Sequence, residues 1–148
     1  MTVDNTYKRP ISSDLAVTPI AKFMTRKVVY AMEGSSIHVA MQMMITHKVS
    51  GLPIVDSQGT CVGIYSEMDA MLQAASQPLT AKIKFTKPPI TVSSVTPFRD
   101  VLIMMVQKKI KRIPVLDGIG KLMGVVSRGD LMKALYKDSE QNVSPQKK

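Results

Sequence analysis

The chain has 148 residues, 45% of them apolar, 5% aromatic and 21% charged, with a formal net charge of +9. A domain of this length buries roughly 70% of its unfolded surface, so one compact domain, or two small halves sharing a core, holds together without metal or disulfide. The longest apolar run, Val101 to Val106, falls far short of the roughly 20 residues that span a bilayer, which excludes a transmembrane helix and gives no expectation of a membrane partner.

The single Cys61 cannot form an internal bridge and points to a reducing compartment. The N-terminal MTVDNTYKRP is polar and lacks the apolar stretch of a secretory signal, so a cytoplasmic location is expected. Charge is unevenly placed. Residues 1–75 hold six basic and six acidic side chains, whereas residues 98–137 hold nine basic against three acidic. A basic second half attracts anions, but composition does not choose among nucleic acid, acidic protein, headgroups and small phosphates.

Taken in order, residues 1–13 are polar and aperiodic, as a tail would be. Val28 to Met32 forms a short strand. Ser35 caps a helix carrying Ile37, Ala40, Met41, Met44 and Ile45 at helical spacing. Leu52 to Val55 and Thr60 to Tyr65, split by Asp56-Ser57-Gln58-Gly59, make a hairpin. A closing helix starts at Ser66 and carries Met68, Met71 and Leu72. After a connection at 76–89 the order repeats: a strand at Ile90 to Val92, a helix capped by Thr96 with Pro97 at its first position, a hairpin from Ile113 to Leu116 and Lys121 to Val126, and a helix from Ser127. A shift of 61 residues aligns HKVSGLPIVDSQGTCVGIYSEMDAML with KKIKRIPVLDGIGKLMGVVSRGDLMK without a gap. The chain is a duplicated β-α-β-β-α unit, an α/β fold.

No constellation for catalysis stands out. His38 and His47 have no Cys or carboxylate at ligand spacing, Cys61 sits inside a predicted strand, and no nucleophile signature is present, so neither an enzyme nor a metal site is expected. Asp117-Gly118-Ile119-Gly120-Lys121 is not a phosphate-binding loop, because Val115 and Leu122 stand where Gly and Ser or Thr are needed. The repeated feature is Gly-x-x-Ser-x-x-Asp at a strand-to-helix junction: Gly63, Ser66, Asp69 and Gly124, Ser127, Asp130. A capping box explains Ser and Asp by itself. A helix N-terminus that receives a phosphate, with a carboxylate one turn on accepting a ribose diol, uses the same geometry.

These paired motifs, with the HKVSGLPIVD and KKIKRIPVLD segments, resemble a cystathionine-β-synthase (CBS) domain pair, or Bateman module, over residues 19–136. The resemblance implies two pseudo-twofold-related β-α-β-β-α repeats packed into one stand-alone module. Its parts would be an N-terminal tail at 1–18, repeats at 19–75 and 89–136, a linker at 76–88 and a disordered C-terminal tail at 137–148. It implies two clefts for adenosine-containing regulatory ligands (AMP, ADP, ATP or S-adenosylmethionine), no cofactor, a homodimer and an unidentified regulated protein. One cleft would use Ser127 for phosphate, Asp130 for ribose, Lys111 and Arg112 facing the phosphates, and Met24, Lys27, Val29 and Val49 around the base. The other would use Ser66, Asp69, Ser50 and Gly51, with Thr86, Pro88, Ile90 and Ile110 around the base. Lys111, Arg112 and Arg128 beside Ser127, against Ser50, Gly51 and Glu67 beside Ser66, make the first the expected phosphate site. The rival expectation is a basic adaptor for nucleic acid or an acidic protein, with vestigial clefts and a stripe of Lys82, Lys84, Lys87, Lys133 and Lys137.

Overall fold

The computed structural model describes residues 11–141, so the tail residues 1–10 and 142–148 lie outside the described residues. In chain order the elements are α1 (Ser13–Val17), a 3-10 turn at Ile20–Lys22, β1 (Ala31–Met32), α2 (Ile37–His47), β2 (Gly51–Val55), β3 (Cys61–Ser66), α3 (Glu67–Ala74), β4 (Val92–Ser93), α4 (Phe98–Lys108), β5 (Arg112–Leu116), β6 (Leu122–Ser127) and α5 (Arg128–Gln141). The strands make two three-stranded sheets, β1-β2-β3 and β4-β5-β6. The chain falls into two compact units. Lys27–Thr91 with Leu116–Met123 is here the Ser66 unit, and the remainder is the Ser127 unit.

In the Ser66 unit β2 is a continuous buried run from Leu52 to Val55, as a strand covered on both faces requires. It lies parallel to β1, Ala31 opposite Ile54, and antiparallel to β3, Gly51 opposite Ser66. Helix α2 buries Ile37, Ala40 and Met44, which share one face at helical spacing. The hairpin turns on Gly59 at φ +83°, and Asp56 Oδ1 accepts from Gln58 and Thr60 N–H. One polar pair sits in this core. Fully buried Tyr65 donates to Gln73 Oε1 at 2.8 Å, and Gln73 also accepts from Lys84 N and donates to Lys82 O and Gln77 Oε1.

In the Ser127 unit α4 buries Phe98, Val101 and Met105, and α5 buries Leu131 and Ala134, over a sheet whose Ile113, Val115 and Val126 are fully buried. Phe23 meets Phe98 edge to face at 5.3 Å. Residues 13–17 and 137–141 are helical, which corrects the tails predicted there. Ser12 ties the two together: its N–H and Oγ donate to the two carboxylate oxygens of Asp138 at 3.0 and 2.6 Å, while Oγ accepts from Leu15 N. A polar, short segment carries too little periodicity to announce such a contact.

The predicted linker and the residues before the first strand are not idle connections. Thr86 pairs with Ile64 of β3 in the Ser66 unit, and Thr25 pairs with Val125 of β6 in the Ser127 unit, at the same 61-residue offset. Each unit thus combines one repeat's helices and the Ser-bearing end of its hairpin with the segment that precedes the other repeat's first strand, and the tip of the second hairpin, Leu116–Met123, goes with the Ser66 unit. Helix caps also differ from expectation. Ser36, not Ser35, caps α2 by accepting from Val39 N. Pro97 is the cap of α4, and Thr96 Oγ1 instead accepts from Ser93 N. Helices α2 and α4 both end on lysines in the left-handed region, Lys48 and Lys109, where Gly is the common choice.

Candidate functional site

Both Gly-x-x-Ser-x-x-Asp segments fold as full capping boxes. Ser66 Oγ accepts from Asp69 N at 3.1 Å while Asp69 Oδ2 accepts from Ser66 N at 2.9 Å. At the second copy the distances are 3.2 and 2.9 Å between Ser127 and Asp130. The first helical N–H is also used, Glu67 N donating to Ser50 O and Arg128 N to Lys111 O, each at 3.0 Å. Each Asp therefore keeps its second oxygen, Oδ1, clear of the box. The N–H of Gly129, or of Met68 in the first copy, is the first-turn donor without a partner among the described residues.

The glycines of the motif have a steric cause. A β-carbon on Gly63 would run into the Phe85 ring and stand 2.7 Å from the Thr86 carbonyl oxygen. One on Gly124 would stand 2.7 Å from Met24 Sδ and 2.8 Å from the Thr25 carbonyl oxygen. The paired segments lie directly on the strand three residues before each Ser, which puts Met24 against the Ser127 motif and Thr86 against the Ser66 motif.

Of the first predicted cleft, Met24, Lys111, Arg112, Ser127 and Asp130 fall in the Ser127 unit, whereas Lys27, Val29 and Val49 belong to the Ser66 unit. Among the described residues, Lys27, Val28 and Val29 make no backbone hydrogen bond outside the regular helices and strands. Of the second cleft, Ser50, Gly51, Ser66, Asp69, Thr86, Pro88 and Ile90 fall in the Ser66 unit; Ile110 is part of the Ser127 unit. The structure also moves Arg128 out of its expected place. Its guanidinium donates to Ile110 O at 3.2 Å and Lys109 O at 3.4 Å, closing the carbonyl end of α4. Arg112 behaves differently: its Nε–H is shut off from solvent and has no hydrogen-bond partner among the described residues. A buried donor left open this way normally finds an acceptor.

Three groups beyond the motif are shifted. Burial pushes the Cys61 thiol up, keeping it protonated and inert. Burial, then the Asp69 charge, raises Tyr65. The N–H groups of Lys121 and Ile119 hold the exposed Asp117 below its ordinary range.

The CBS-domain family model matches residues 20–75 and 81–137. An uncharacterised 17.7 kDa protein of Acidianus ambivalens is 30% identical over 120 residues, covering 80% of this chain and 73% of that protein. The chloroplastic CBS domain-containing protein CBSX2 of Arabidopsis thaliana is 26% identical, and the chain spans 62% of its length. An inosine-5′-monophosphate dehydrogenase of Methanocaldococcus jannaschii is also 26% identical, but the shared part is only 24% of that enzyme. Among solved structures, CBSX2 in complex with AMP superposes with a TM-score of 0.72, covering 81% of this chain and 97% of that one. The CBS domain pair of MJ0100 with 5′-methylthioadenosine and S-adenosylmethionine gives 0.70 at 26% identity, with 86% and 98% covered.

Proposed function

Because the chain belongs to the CBS-domain family and carries two such domains in tandem, we propose that it is a regulatory module that binds an adenosine-containing ligand and signals its presence to a partner protein. The similar CBS pairs crystallised with AMP or with S-adenosylmethionine support that ligand class. The geometry supports a division of labour within each motif. The Ser hydroxyl and the free first-turn N–H receive phosphate, and the Asp Oδ1 accepts from the ribose diol.

The observation that carries the reading is the unfilled Arg112 Nε–H at the start of β5, beside the Lys111 carbonyl that anchors the Ser127 helix. The Nε–H itself is closed to solvent, so a phosphate meets Arg112 through the rest of its guanidinium, and a charge-assisted bond of this kind is roughly twice as strong as a neutral one. The Ser66 motif has Gly51 at the position of Arg112 and a carboxylate, Glu67, in the first turn of its helix, so the Ser127 motif takes the more anionic ligand. The chain acts without chemistry of its own in this reading, and its partner supplies the regulated activity.

A homodimer is part of the proposal, since apolar side chains stand exposed on both helix pairs; Ile45 is 77% and Met132 67% exposed. The rival reading rests on Lys82, Lys84 and Lys87, all exposed along the segment that crosses β3. Calorimetry with AMP, ADP, ATP, S-adenosylmethionine and a short duplex, at two salt concentrations, separates the two. A nucleotide binding with one-site saturation and a modest salt slope supports the module. Duplex binding with a steep salt slope and no nucleotide heat overturns it.

A further inference from the structure

Helix α5 and the N-terminal helix α1 border a groove of about 700 Å³ that Asp130 helps to line. Asp130 lines one part of it, and Lys133 and Lys137 follow three and seven residues on, so all three share one face of α5. Lys22 faces in from the 3-10 turn, and Leu15, Phe23 and Ala134 give the groove apolar surface. The wall is fastened on both sides. Ser12 is bonded twice to Asp138, and the backbone after α1 is tied to the start of α4 by Phe98 N to Thr18 O at 2.8 Å and Ile20 N to Thr96 O at 2.8 Å.

The charges lining the groove are not mutually satisfied. Asp138 spends both oxygens on Ser12, Asp130 gives Oδ2 to Ser127 N, and Asp14 sits in the first turn of α1. Among the described residues, none of Lys22, Lys133 and Lys137 forms an ion pair with any of these carboxylates. The groove holds three ammonium groups and three carboxylates, but Asp138 and one oxygen of Asp130 are already engaged in hydrogen bonds, so beside the carboxylate that the reading above gives to a ribose diol the ammonium groups are open to an anion carried by the ribose. We propose that this groove is a second compartment of the Asp130 site and takes a phosphate ester at O2′ or O3′ of an adenosine ligand. The other ribose hydroxyl remains for Asp130 Oδ1. Lys133, one turn beyond Asp130, offsets that carboxylate and is the principal contact of the ester. The inference rests on the adenosine-binding reading above and names a narrower ligand class within it.

The test is calorimetry on the full chain at low salt with adenosine 5′-monophosphate, adenosine 2′,5′-bisphosphate and adenosine 3′,5′-bisphosphate. One bisphosphate binds about tenfold or more tightly than the monophosphate, and which one it is fixes the esterified hydroxyl. In Lys133→Ala, and separately Lys22→Ala, the ratio of bisphosphate to monophosphate affinity falls below about threefold. Both side chains are exposed, so folding is not at stake. If the monophosphate binds and neither bisphosphate binds better, the compartment is refuted while the adenosine reading stands. If none of the three binds while ATP or S-adenosylmethionine does, the compartment is refuted and the adenosine reading stands; if none of the five binds, both fall. A gain that survives both lysine variants also overturns the assignment.

Discussion

At the scale of single residues the proposed site asks one geometry to serve two purposes. Asp130 uses one carboxylate oxygen to close its capping box and keeps the other, so the proposed binding role and the structural one do not compete for the same lone pairs. Removing the carboxylate removes charged hydrogen bonds worth about 1.5–3 kcal/mol, so Asp130→Ala should weaken adenosine nucleotide binding at least about tenfold. Equal binding of ribose and deoxyribose forms by the parent would exclude Asp130 from that role. The asymmetry of the two motifs gives a sharper comparison. Arg112→Ala withdraws the guanidinium, whereas Asp69→Ala alters a motif with no cation next to it. Titration with ATP should show the larger loss in the Arg112 variant, and the reverse order would defeat the assignment. Arg128 marks the limit of reading neighbours from sequence. It adjoins Ser127 in the chain, yet helix α4 ends close by with open carbonyls, and a guanidinium satisfies two of them at once.

At the scale of elements, the segment crossing β3 is held by a buried polar cluster and by a glycine. Gln73→Ala strands the Tyr65 hydroxyl, Lys82 O and Lys84 N, and should cost about 3 kcal/mol in urea unfolding; Tyr65→Phe, which leaves Gln73 still bonded to Lys84 N, should cost about 1 kcal/mol. Tyr65 has its ionisation raised by burial and by Asp69, so its share of stability is full below its unfolded value near 10 and is lost as pH climbs through the raised one. The Phe variant should therefore unfold less steeply than the parent above about pH 10, and an unchanged alkaline limb would contradict this. Gly63→Ala forces Phe85 and Thr86 off the strand and should cost about 1–3 kcal/mol. Repeats, hairpins and helix stripes were legible because burial imposes periods of two and 3.6 on the sequence. The crossing segments were not, since Thr25 and Thr86 pair with strands of the other repeat, 100 and 22 residues away, and no local pattern encodes a partner that distant. Cap positions slipped because Ser35 and Ser36 are chemically equivalent on paper, and only the backbone turn selects the second.

At the scale of the whole molecule, duplication supplies an internal control on which surfaces are used. Ile45 and Val106 occupy matching positions on α2 and α4, as do Met71 and Met132 on α3 and α5, and all four are between 58% and 77% exposed. In the Ser127 unit, Val106 and Met132 line an apolar groove with Leu102, Met105, Leu131 and Leu135. Folding one chain does not require apolar side chains at these four places, because none of them is buried, and exposed apolar surface on helices lowers solubility. The proposed association of two copies would give these matching positions one shared use in both repeats. Light scattering at about 10 µM should then give close to twice 16.3 kDa. The double variant Val106→Lys, Met132→Lys should shift the mass toward one chain, with its far-ultraviolet circular dichroism unchanged because both positions face solvent. A parent that is monomeric at that concentration, or a variant that stays dimeric, would mean that these faces serve some other contact.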